Sequence, residues 1–348
     1  MIANFVVIKV FLLTTASFIL AFLLTPIMTY FLYKYRFGKQ IRSSQPTFYR
    51  LHKDKAGTPT MGGLIIWVSV LVLAILFYYL TKIIPLDFFK NLNFLTRSET
   101  LLPLGALVAS AIVGLVDDWL GVRGIGKNGG GLRIKYRLMI YTAIALVGAY
   151  WFYYKLDWDV LHIPFVGNLE IGWWYIPIFI FILVATAFSV NETDGLDGLA
   201  AGVLLTNFGS LGAISFILGK YDLTAFCGVI VGALLAFLWF NINPARFIMG
   251  DTGAMSLGIT LAIVAMLTNT ALYLPIIGAI LVIESLSVMI QLAYKKITGG
   301  KKIFLSTPIH HHFEAKGWSE PKIVMRFWVI SGVTSVIGLI LFLLDKAW

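Results

Sequence analysis

Ten times along this chain an apolar run of about 17 to 25 residues recurs, the length a helix needs to cross the hydrocarbon core of a bilayer. The runs lie at roughly 10–33, 62–81, 100–116, 137–154, 173–190, 199–218, 223–241, 253–272, 275–294 and 323–344. Backbone polar groups inside lipid must be satisfied within their own segment, so such a chain has to fold as a helical bundle. Mean hydropathy is +0.87 and 59% of the 348 residues are hydrophobic, outside the range of an ordinary soluble domain. The expected fold class is therefore all-α: a polytopic integral membrane protein, one domain over 1–348. Its longest connections, about 28 residues, are too short to bury a core of their own. The first run is too long for a signal peptide and is followed by basic residues rather than a small-residue cleavage site. A lone Cys227 excludes an intrachain disulfide and a thiolate metal site.

Net charge is +10, and its placement says more than its size. With the N-terminus outside, the inner connections are 34–61, 117–136, 191–198, 242–252 and 295–322. With their immediate flanks they hold every Lys and Arg except Lys9, Lys82, Lys90, Arg97, Lys155, Lys220 and Lys346. That asymmetry predicts both termini in the periplasm. It also assigns the positive charge to topology and to anionic lipid or phosphate ligands, not to nucleic acid. On the outer side, 155–172 reads as a small β-hairpin turning at Gly167-Asn168, with a packing role.

Polar residues collect on the inner side. Asn191-Glu-Thr-Asp194-Gly195-Leu196-Asp197-Gly198 puts three acids into eight residues of a chain that is only 13% charged. Asp117 and Asp118 end the third run, Asp251 opens the eighth, and His310, His311 and His312 precede the tenth. Carboxylates about 4 Å apart repel by on the order of 4 kcal/mol near a protein surface, so a set like this calls for a cation, a basic partner or raised pKa values. Without cysteine, the acids favour a hard ion, Mg²⁺ or Mn²⁺ rather than zinc. Lys53 and Lys55, then Arg123, Lys127, Arg133 and Lys135, supply positive charge for phosphate. The run Gly124-Ile-Gly-Lys127-Asn-Gly-Gly-Gly131 is basic and flexible but lacks P-loop spacing. The N-termini of the sixth and eighth helices add free N–H groups for anions. Together these features describe phosphoryl transfer between a soluble phosphate donor and a lipid phosphate. Glu284, deep in the ninth run, reads as a structural hydrogen-bonder, and His52 and His162 read as loop-surface residues.

The same residues carry a resemblance. Thr58-Pro-Thr-Met-Gly-Gly63, Asp117-Asp118, Asn191 to Gly198, Met249-Gly-Asp251, Pro308-Ile-His-His-His-Phe-Glu314, Lys316-Gly-Trp318 and Arg326-Phe-Trp328 resemble, in order, the motifs of the phospho-N-acetylmuramoyl-pentapeptide transferase family. The aspartate motifs are shared with the wider polyprenyl-phosphate N-acetylhexosamine-1-phosphate transferase superfamily; the triple histidine selects the peptidoglycan branch. The resemblance implies that UDP-MurNAc-pentapeptide (UDP-N-acetylmuramoyl-pentapeptide) and undecaprenyl phosphate give lipid I and UMP, with Mg²⁺, in a homodimer of the bacterial inner membrane. By that resemblance Asp251 is the magnesium ligand, and Asp117, with Asp118 beside it, is the acid that deprotonates or orients the lipid phosphate. Asn191, Asp194 and Asp197 form the nucleotide-side wall, with Gly195 and Leu196 lining the uridine pocket. Lys55 and Thr60 contact uridine or phosphate, and His310, His311 and His312 form a catalytic or substrate-positioning loop.

Three positions depart from the family pattern. Glu192 stands where leucine is usual, and Ile248 where phenylalanine precedes Met-Gly-Asp, with Phe247 one place earlier. The stretch Gly253 to Ile259 lacks a usual serine and second glycine. Two rival functions compete. A UDP-N-acetylglucosamine-using member of the superfamily is disfavoured by the histidines. An ion-coupled transporter would place its acids near the bilayer midplane, not at helix ends.

Overall fold

A computed structural model describes residues 2–38, 55, 57–84, 86–97, 99–125 and 131–347. Among the described residues the fold is a helical bundle with one small sheet. In chain order the helices are α1 (Ile2–Lys34), α2 (Leu64–Ile83), α3 (Asp87–Leu92), α4 (Leu101–Val122), α5 (Ile134–Tyr150), α6 (Tyr175–Thr193), α7 (Leu199–Ile217), α8 (Tyr221–Asn241), α9 (Gly250–Leu267), α10 (Leu274–Ile277), α11 (Ala279–Ile297), α12 (Ile309–Ala315) and α13 (Glu320–Ala347). All ten apolar runs fall on helices. Among the described residues, eight helices are long and apolar enough to cross a membrane. The other two are α5, with Lys135 and Arg137 near its start, and α11, with Glu284, Gln291, Lys295 and Lys296. Helix α5 is 17 residues long and α11 carries three charged residues, and Arg137 and Glu284 turn inward to the polar cluster described below.

Burial sorts the helices into centre and periphery. Of the most apolar stretch of α9, 89% is buried, against 28% for α1 and for α13. Helix α9 packs between α4 and α6, while α8 packs against α1 and α7. Small residues permit these approaches, as expected where lipid supplies no hydrophobic drive between helices. Gly63 of the turn before α2 touches Gly253 of α9 backbone to backbone, so a side chain at either would push the helices apart.

The hairpin pairs β1 (Val160–Ile163) with β2 (Gly167–Glu170), Ile163 facing Gly167. The turn is therefore Pro164-Phe165-Val166, and Gly167-Asn168 already belong to the second strand, a correction to the sequence reading. Proline presets the first turn position, Phe165 takes the left-handed conformation (φ 62°), and Val166 N–H closes onto Ile163 O at 3.0 Å. His162 is likewise not on a loop: it lies in β1, half-buried and bonded on both ring nitrogens. Its Nε2 lies 2.5 Å from Asp345 at the end of α13, and its Nδ1 lies 2.8 Å from Asn168. Asp345 also accepts the Phe165 N–H at 2.6 Å and the Tyr273 hydroxyl, so one carboxylate clasps hairpin, α10 approach and final helix.

Candidate active site

Helix α4 does not stop at its acids. It continues to Val122, which leaves Asp117 and Asp118 one turn inside the helix with both side chains buried. Adjacent on a helix, they point about 100° apart and meet different partners. Asp118 faces α9: its Oδ1 accepts the Asp251 N–H (3.1 Å) and the Thr60 hydroxyl (3.2 Å), and its Oδ2 accepts the Thr252 N–H (3.0 Å). Asp194 accepts the preceding N–H, that of Gly250, at 3.0 Å. The opening amides of α9, expected from sequence to await a substrate anion, are thus taken by two of the protein's own carboxylates. This is N-capping supplied from other helices. Gly250 makes it fit: its φ is +73°, and a β-carbon there would strike Asp118 and Thr60. The start of α7 is occupied too, with Gly198 N–H on Asn241 Oδ1 (2.9 Å) and Asp197 N–H on Glu320 (2.6 Å).

Asp117 faces the other way, toward Asp251. Its Oδ1 accepts the Leu132 N–H at 2.6 Å, and its Oδ2 lies 2.7 Å from Arg137 Nε. The same guanidinium reaches Asp251 Oδ2 at 2.8 Å and Asn191 Oδ1 at 3.1 Å, and Asn191 Nδ2 donates to Asp251 Oδ1 at 2.5 Å. One arginine on α5 therefore ties α4, α6 and α9 together. Sequence reasoning missed Arg137, and named instead Arg123, Arg133 and Lys135, which are exposed. Glu192, one residue past Asn191, lies within electrostatic reach of Arg137, Asp251 and Glu284.

The histidines form the helix α12 rather than a loop, with Pro308 just ahead of it. His310 Nδ1 lies 2.9 Å from Glu284 Oε2, both side chains fully buried. A carboxylate facing Nδ1 places the proton there and leaves Nε2 turned the other way. Nε2 abuts Gly195, where any side chain would collide with the ring. So Glu284, apparently isolated in sequence, orients the first histidine. His311 Nδ1 lies 2.5 Å from Glu314 Oε2, and His312 Nδ1 accepts the Leu305 N–H at 3.1 Å.

Lys55 closes the far side. Its Nζ lies 2.7 Å from Asp197 Oδ1 and 2.5 Å from Glu320 Oε1. Burial penalises the ammonium, but Glu320 and Asp197 outweigh that, and the Lys55 pKa is raised above its ordinary value. Asn243 Nδ2 bonds Asp197 at 3.0 Å and Glu320 at 3.2 Å, and Ala245 N–H bonds Asp197 at 3.1 Å. Leu196 points into the core, and Ile248 is half-buried, its N–H on Pro59 O at 2.8 Å. Phe247 is fully buried against Phe237 and Phe240. Lys53 and Lys127, and His52, lie outside the described residues.

Asp117, Asp118, Asn191, Asp194 and Asp251 thus form one bonded cluster, which reaches His310 through Gly195. Lys55 with Asp197 and Glu320 forms its neighbour. Among the described residues no set of three or more His, Cys, Asp or Glu has the spacing of a ready-made metal cage. What the cluster offers is two carboxylates and an amide oxygen around one cationic group, an all-oxygen donor set suited to a hard divalent ion completed by phosphate.

Comparison with known proteins identifies the family. Residues 100–269 match the sequence model of glycosyl transferase family 4, and residues 55–66 match a phospho-N-acetylmuramoyl-pentapeptide-transferase signature. The phospho-N-acetylmuramoyl-pentapeptide-transferase of Chloroflexus aggregans is 39% identical over 348 residues, covering 97% of this chain and 90% of that protein. Those of Chloroflexus aurantiacus (40%, with the same coverage) and Listeria monocytogenes (36% over 330 residues, 93% of this chain and 96% of that protein) are similarly close. From Lys55 to α13, across rim and bundle alike, the chain belongs to the phospho-N-acetylmuramoyl-pentapeptide-transferase family.

Proposed function

We propose that this protein transfers phospho-N-acetylmuramoyl-pentapeptide from its UDP carrier to undecaprenyl phosphate. An oxygen of the lipid phosphate forms a bond to the donor's β-phosphorus, the bond between the β-phosphorus and the bridging oxygen breaks, and UMP leaves with that oxygen, giving lipid I. The observation that carries this reading is the Asp117–Arg137–Asp251 bridge with Asn191, in a chain whose full-length relatives bear that transferase name. Such a site suits phosphoryl transfer, where the protein's task is positioning and charge neutralisation.

Asp117, Asp251 and Asn191 would hold Mg²⁺, which, when bound, neutralises pyrophosphate oxygens. Arg137 supplies a fixed cation with forked donors for phosphate. Asp118 and Asp194 seat the helix that carries Asp251. Lys55 with Asp197 supports the uridine side, and α12 presents His310 beside Gly195. The lipid phosphate attacks directly, since its ionised oxygen is already a competent nucleophile and the site's task is then charge neutralisation. The excess of Lys and Arg on the rim side supports a cytoplasm-facing site in the bacterial inner membrane, and the protein acts as a homodimer.

Purified protein in detergent, given undecaprenyl phosphate and either UDP-N-acetylmuramoyl-pentapeptide or UDP-N-acetylglucosamine, should release UMP with the first donor alone. Release should stop with a chelator and return with Mg²⁺. Turnover confined to the acetylglucosamine donor would overturn the assignment, and a need for an ion gradient would point to a transporter.

A further inference from the structure

We propose that the segment Lys295–Leu305, at the rim end of α11, docks on anionic phospholipid headgroups and fastens α12 to the membrane surface. The proposal goes beyond the transfer reaction. Lys295 and Lys296 lie in the last turn of α11, and Lys301 and Lys302 follow within six residues. No acid occurs between Glu284 and Glu314. Among the described residues, none of the four lysines has a carboxylate partner.

Aliphatic side chains stand beside this charge. Ile283, Leu286, Ile290 and Ile297 follow one exposed stripe of α11 at helical spacing, ending in Ile297, which is 82% exposed. The opposite face, with Glu284, Ser285, Ser287 and Gln291, is buried. In the loop beyond, Ile303 is 48% and Leu305 55% exposed. This exposure belongs to a built loop. Gln291 Oε1 accepts the N–H groups of Ile303 (3.0 Å) and Phe304 (3.1 Å), and its Nε2 donates to Phe304 O (3.2 Å).

Lysines with large aliphatics on one rigid surface match the headgroup boundary, where apolar groups enter the acyl region and ammonium groups meet phosphate. A site for the soluble donor's phosphates would use the lysines but leave the aliphatics in water. Lys295 lies one turn beyond Gln291 on the polar face, but Lys296 is exposed next to Ile297, and Lys301 and Lys302 are exposed next to Ile303; this pairing of ammonium and aliphatic groups on one surface selects the membrane. The Leu305 N–H on His312 then links the docked loop to the histidine helix.

The test uses the full chain in vesicles. Because Cys227 is buried, a Leu305→Cys variant can be labelled at that position with an environment-sensitive fluorophore. Brominated-acyl phosphatidylglycerol should quench the label several-fold more than brominated phosphatidylcholine. Each lysine contributes about a five-fold gain in partitioning at an anionic surface, so the preference should fall to parity when all four become Gln, and should shrink with added salt. Charge reversal at the loop positions alone, Lys301→Glu with Lys302→Glu, spares the helix and should give the same loss. A label that stays water-like in both lipids overturns the proposal, as does a preference that survives the lysine changes. Release of the label from the membrane by UDP-N-acetylmuramoyl-pentapeptide would instead assign the lysines to the soluble donor. No arm reads turnover, so failure here is distinguishable from failure of the transferase assignment.

Discussion

The two ends of α13 carry buried charge in opposite ways. At its last turn, Asp345 is one carboxylate surrounded by donors: a tyrosine hydroxyl, a histidine and a backbone N–H. At its first turn, Glu320 joins a rim where Asp117, Asp118, Asp194, Asp197, Asp251 and Glu192 share Arg137 and Lys55. The first arrangement is closed and needs nothing further. The second has more acid than base packed at helix ends, a state that costs free energy unless a cation enters. Clusters of the first kind hold a fold together; those of the second kind mark where a ligand is required.

That contrast can be broken by substitution. Asp251→Ala and Asp117→Asn should each lower UMP release about a hundred- to a thousand-fold with little change in thermal unfolding; near-normal turnover in either would place the cation elsewhere. Arg137→Lys should lose less than Arg137→Leu but recover only part of the rate, since an ammonium cannot span Asp117, Asp251 and Asn191 at once. Equal rates in the two variants would reduce Arg137 to packing. Asp118→Ala strands the opening amides of α9, so stability should fall by about 1 to 3 kcal/mol along with activity, visible as an earlier unfolding transition. Asp345→Asn should cost about 1 kcal/mol of stability and leave kcat and KM unchanged; an activity loss would mean that the far end communicates with the rim. The smallest effect belongs to Ile248→Phe, expected to tighten uridine-nucleotide binding less than about ten-fold by calorimetry, a stacking-sized gain. An unchanged Kd would place the base away from that position.

Much of this was legible in sequence because bilayer thickness imposes a length on apolar runs, and the runs landed on helices, eight of which, among the described residues, are long and apolar enough to cross a membrane. The acids were legible for the converse reason: charge at a helix end in lipid is rare. Roles were harder to read. Asp117 and Asp118 look equivalent on paper, and only the rotation of α4 shows that one caps α9 while the other meets Arg137. Arg137 itself passed for a flanking basic residue, because it sits three residues into a weak span with Lys135 close by. Glu320 hid at the border of the last run, and nothing local ties it to Lys55, 265 positions earlier. The hairpin turn went wrong by letting Gly167 outweigh Pro164, when proline sets the first turn position.

The capping of α9 by Asp118 also bears on how the chain is made. The carboxylate and its amide partners are 133 residues or more apart, and at roughly 5 to 20 residues per second that interval is on the order of ten seconds of synthesis. Throughout it, α4 already stands at the bilayer edge with an acid that has the earlier Thr60 hydroxyl available but whose two amide partners on α9 do not yet exist. The nascent chain must keep that acid hydrated or protonated until α9 arrives. Chains truncated before residue 250 should therefore be degraded faster in cells than chains that include α9, by pulse-chase, and equal lifetimes would show that the waiting acid is no burden.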